Sequence, residues 1–117
     1  MHYYRMFLSI ALLAAVSLGF QEIAASQSKT KYSLKSGSLI ATTQSMLDKA
    51  FEIYGSGDRE AFNNYCAENY PDVYITKSSM KVYVVDTDQW KNTVKIRPVG
   101  KTQEYWVTYT CIDGFSY

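Results

Sequence analysis

Lys81–Tyr109 reads KVYVVDTDQWKNTVKIRPVGKTQEYWVTY, and its apolar residues recur at every second position. Val82 and Val84 oppose Tyr83 and Val85, Val94 and Ile96 oppose Lys95 and Arg97, and Tyr105, Val107 and Tyr109 oppose Trp106 and Thr108. Successive side chains of a β-strand point to opposite faces, so this period of two predicts three strands with one face inward. Asp86 to Asn92 and Pro98 to Thr102 are polar or Gly/Pro-marked breaks of turn length. Just upstream, Val73 and Ile75 oppose Tyr74, and Lys77-Ser78-Ser79 supplies another break. Four short strands are therefore expected over about 72–110.

Before the strands the period changes. Leu47, Ala50, Phe51 and Tyr54 recur at i, i+3, i+4 and i+7, with a threonine at the N-cap and Gly55 past the end, which predicts a helix over about 43–54. Asp58 is an N-cap for a second helix over about 58–69, where Ala61, Phe62, Tyr65 and Cys66 share a face and Pro71 stops the run. Residues 26–38, SQSKTKYSLKSGS, are polar and read as a flexible lead-in, leaving a single domain over 39–117. Helices followed by strands, without βαβ alternation, predict an α+β fold: an N-terminal helical hairpin packed on a small antiparallel β-barrel.

The N-terminus has a different character. Arg5 precedes an apolar run from Met6 to Phe20, and small residues Ala24, Ala25 and Ser26 follow. This layout predicts a signal peptide over 1–25 and a secreted or periplasmic product. The apolar run is about fourteen residues long, against about 20 for a bilayer-spanning helix, so no transmembrane segment is expected after cleavage. A retained anchor is the competing reading. Removing Arg5 and Glu22 leaves the formal charge at +1, with no electrostatic footprint for nucleic acid. In an oxidising compartment Cys66 and Cys111 are expected to form a disulfide, worth roughly 2–4 kcal/mol for a loop of this length. A reactive or metal-binding thiol pair is the alternative, but it lacks a CxxC spacing.

His2, the sole histidine, lies in the expected leader, so the mature chain has no histidine for a nucleophilic triad, a zinc site or neutral-pH proton transfer. Asp86, Asp88 and Glu104 are the carboxylates in or beside the strands that paired acid/base chemistry would need. Asp86-Thr87-Asp88 lacks the later ligands of a calcium loop, and Gly55-Ser56-Gly57 lacks the rest of a phosphate loop. No cofactor, no metal and no enzymatic activity are expected. The compositional excess is aromatic, with 11 tyrosines and two tryptophans. Packing in a small core accounts for most of them. A recognition surface is the sharper reading for Trp90, which lies in a polar turn, with Tyr83 and Arg97 on one face and Trp106 beside them.

Val82-Tyr83-Val84-Val85, Trp90, Val94-Lys95-Ile96-Arg97, Gly100 and Tyr105-Trp106-Val107 together resemble a bacterial SH3-like domain over residues 73–109. The resemblance implies a small SH3-like barrel that binds a protein or a peptidoglycan peptide, or serves as a spacer. The expected product is a monomeric, non-enzymatic binding module. The rival is a small secreted inhibitor or effector that blocks another protein through the Asp86–Asn92 turn, and a carboxylate-dependent wall hydrolase is a third reading.

Overall fold

The computed structural model describes residues 30–117. The expected signal peptide lies outside the described residues. Among the described residues, seven strands and two α-helices follow in chain order. β1 (Lys31–Leu34) and β2 (Leu39–Ala41) come first, then α1 (Gln44–Gly55) and α2 (Arg59–Asn69). β3 (Val73–Ile75), β4 (Met80–Asp88), β5 (Thr93–Pro98), β6 (Tyr105–Thr108) and β7 (Ile112–Asp113) complete the fold.

The helices form where capping and periodicity agree. The Thr43 hydroxyl accepts from the Met46 amide at 3.1 Å, and the Asp58 carboxylate accepts from the Ala61 amide at 2.9 Å. Each satisfies one backbone donor that a helix start leaves without an internal partner. Gly57, at φ +85°, makes the left-handed turn between the helices.

All pairings in the sheet are antiparallel, in the order β3-β2-β6-β5-β4-β1-β7. β1 and β2 consequently run in the same direction, with β6, β5 and β4 between them, yet only Lys35–Ser38 joins them. Flat, those four strand spacings would cover about 19 Å. Five extended Cα steps reach at most about 18 Å, and this link is a turn, with Gly37 at φ +78° and the Ser38 hydroxyl donating to the Lys35 carbonyl at 2.6 Å. The sheet must therefore curl. Leu34, Ile40, Val82, Val94, Ile96, Val107 and Ile112, drawn from six strands, converge in one core on its concave side.

The convex side is only half covered. α1 packs on β2 and β6, and α2 packs on β3. Leu39, Ala41, Leu47, Ala50, Phe62 and Val73 make a second core there. Among the described residues, no helix packs on the convex face of β1, β4 and β5 beyond Thr93, whose hydroxyl accepts from Gln44 Nε2 of α1 at 3.0 Å.

Four sequence expectations are overturned. The helices are not an N-terminal hairpin, because two strands precede them, and β1 lies within the segment read as a flexible lead-in. Its Leu34 is fully buried. Nor does the sheet close into an SH3-like barrel. The outer edges of β1 and β2, which closure would need, are taken by β7 and β3, so the sheet ends in two separate edge strands. Finally, Cys66 and Cys111 are both free. Cys66 packs against the helix-side core and Cys111 against the concave core, so the sheet stands between them.

Candidate binding surface

The open half of the convex face is built by register. Lys31 of β1 lies opposite Tyr83 of β4, and Tyr83 lies opposite Arg97 of β5. The Arg97 guanidinium sits 4.9 Å from the Tyr83 ring centroid, and its Nη1 donates to the Lys101 carbonyl at 3.0 Å. Cation–π stacking of this kind contributes about 0.5–1 kcal/mol at an exposed site and holds the guanidinium in one place. Lys81 and Lys95 lie two residues from Tyr83 and Arg97 and so share their face. Lys95 Nζ stands 5.4 Å from the Trp106 ring centroid and 3.6 Å from Glu104 Oε1. Trp106 is half-buried, packed against the helix-side core.

Charge is segregated across the fold. Residues 44–72, the helical hairpin and its exit, carry Asp48, Glu52, Asp58, Glu60, Glu68 and Asp72 against Lys49 and Arg59. The bare half of the sheet carries Lys31, Lys81, Lys95 and Arg97, with Asp86 and Glu104 at its margin. A near-neutral chain thus presents a cationic, aromatic surface on one side.

Trp90 lies elsewhere. It is 96% exposed, in a single 3-10 turn (Gln89–Lys91) at the tip of the β4–β5 hairpin. Five residue steps along β4, about 17 Å, separate that tip from Tyr83. The turn is braced. Asp88 accepts from the Lys91 amide at 3.3 Å and from Gln44 Nε2 at 2.8 Å, and Lys91 Nζ pairs with Asp48 Oδ2 at 3.1 Å. The Gln44 hydrogen bond, aided by Lys91, holds the Asp88 carboxyl below its ordinary pKa. The structure therefore unites Tyr83, Arg97 and, through Lys95, Trp106, and leaves Trp90 alone on its turn.

The three sequence-designated acids each have a local partner: Asp86 accepts from the Thr87 amide at 2.8 Å, Asp88 braces the turn, and Glu104 pairs with Lys95. A recess on the helix side escaped the sequence reading. A groove of about 750 Å³ runs between α2 and β3, with Phe62, Cys66 and Ala67 on the helix side and Tyr70, Tyr74 and Ile75 on the other. Lys77 is the charged residue in its lining. Burial pushes the Cys66 thiol above its ordinary pKa, which disfavours the nucleophilic thiolate.

No family model matches the chain, no curated protein matches it, and no solved structure matches it.

Proposed function

We propose that the chain is a non-enzymatic binding module, exported as a monomer, that recognises a carboxylate-bearing peptide in a partner protein or in peptidoglycan. The carrying observation is the Lys31–Tyr83–Arg97 row with Lys81 and Lys95 beside it, on a sheet face where neither described helix packs. A planar guanidinium fixed by stacking offers two parallel donors to a carboxylate, and the lysines add attraction without a second geometric demand. Export rests on residues 1–25 alone; no described residue bears on it.

The test is a titration of the full chain with poly-L-glutamate and with soluble peptidoglycan stem peptides at low and high salt. Arg97→Ala should weaken binding about tenfold or more, and about 0.5 M salt should remove most of what remains. Equal binding by wild type and Arg97→Ala would sink the proposal. The exposed Trp90 favours a second reading, an inhibitor or effector that inserts this braced turn into a target, since exposed tryptophans often anchor protein interfaces. On that reading Trp90→Ala abolishes target binding while Arg97→Ala spares it.

A further inference from the structure

β3 is an edge strand of three apolar or aromatic residues, Val-Tyr-Ile, with neither a charge nor a proline within it. The opposite edge, β7, is two residues long and carries Asp113, which pairs with Lys35 at 3.6 Å. Natural sheets shield their edges with short strands, charges or prolines, because an unpaired row of N–H and C=O groups invites another strand. β3 is likewise short, but its Ile75 end carries neither a charge nor a proline. The Thr76 amide donates to the Ser38 carbonyl at 2.9 Å and the Thr42 amide to the Asp72 carbonyl at 2.9 Å. Hydrogen-bonded pairs alternate along an antiparallel ladder, so Ile75, between two of them, turns its own N–H and C=O away from β2. Ile75 is 44% exposed.

The groove under α2 runs beside this edge. Phe62, Cys66 and Ala67 form its helix wall, and Tyr70, 67% exposed, packs edge-on against Tyr74 with ring centroids 5.6 Å apart. Lys77, at the Ile75 end, has no carboxylate within ion-pair distance among the described residues.

We propose that this groove takes an extended segment of a partner protein, added antiparallel to β3, with apolar side chains facing α2 and one Asp or Glu side chain on Lys77. Main-chain hydrogen bonds to Ile75 give such addition its affinity, and alternate side chains in the groove give its specificity. Antiparallel addition places the N-terminal end of the segment beside Lys77, so the carboxylate there belongs to a side chain and not to a chain terminus. The site is separate from the Tyr83–Arg97 surface, and either can fail alone.

The experiment is selection of displayed random nine-residue peptides on the immobilised full chain, followed by binding of the enriched peptide synthesised with both ends blocked. Enriched sequences should alternate apolar residues and carry Asp or Glu on their N-terminal side. Lys77→Glu should weaken the peptide about tenfold, and exchanging the peptide's acid for lysine should restore binding to that variant. Ala67→Trp, at an exposed position that fills the groove, should abolish binding without moving the thermal midpoint, and the Ile75 amide should gain protection from hydrogen exchange when the peptide binds. No enrichment, or binding indifferent to both variants, overturns the proposal. So does loss in Arg97→Ala with retention in Ala67→Trp, which moves the peptide to the convex sheet face. Concentration-dependent dimerisation abolished by Ala67→Trp would give the groove to a second copy of this chain instead, and would equally overturn it.

Discussion

Tyr74 joins three parts of the molecule. It pairs with Ile40 across the β2–β3 ladder, stands edge-on to Tyr105 with ring centroids 6.0 Å apart, and lines the groove beside Tyr70. Burial, with the neighbouring Tyr105 and Tyr70 adding to it, pushes its phenol from 10 up to about 12. Below pH 10 the phenol is neutral in both folded and unfolded chains, and its contribution is intact. Between pH 10 and about 12 the unfolded chain ionises first, so the folded state loses stability as pH rises. A tyrosinate absorbance titration, with circular dichroism to track folding, should show a last step near 12 that Tyr74→Phe removes. An unchanged profile in Tyr74→Phe would mean that burial does not hold this phenol. Residue chemistry of this kind was partly legible in the sequence. Alternation places Tyr83 and Arg97 on faces of neighbouring strands, and the register makes them partners. Tyr74 and Trp106 read as strand aromatics, but nothing local tells that one borders a groove and the other half-fills a core.

At the scale of elements, legibility follows length and one-sidedness. β4, β5 and β6 alternate because each buries one face, and both helices show a stripe because each lies on a surface. β2 has no alternation: Leu39, Ile40 and Ala41 are all buried, because the concave core covers one face and the helices cover the other. β1 has alternation, with Tyr32 and Leu34 inward, but it is diluted among lysines and serines and is completed only by β4 and β7. Nor does the sequence mark the register shift between Val84 and Asp86, which moves Asp86 opposite Lys95. Because β1 is an integral strand, Leu34→Ala should destabilise the fold by about 2–5 kcal/mol, the range for truncating a buried leucine. Urea unfolding measures it. A loss under about 0.5 kcal/mol, the size of a surface substitution, would return this segment to the status of a tail.

Residues 31–117 form one curled sheet with a core on either side, and that division decides the state of the cysteines. Sequence distance and redox compartment both favoured a Cys66–Cys111 bridge, since nothing in the chain reveals that the helix carrying one thiol and the short turn carrying the other pack on opposite faces. A disulfide needs Cα atoms within about 7 Å and Cβ vectors that converge, which two groups separated by a sheet do not offer. The free thiols also mean that the fold is held by its two cores without a covalent staple. Unfolding the purified protein in denaturant with excess iodoacetamide, and no reductant, should therefore add two carbamidomethyl groups to the intact mass. In the native state Cys66 should react slowly, because burial raises its pKa and keeps its thiolate scarce. Addition of none, with the mass two hydrogens low, would show the two thiols bridged, and would require α2 or the turn carrying Cys111 to leave its place on the sheet.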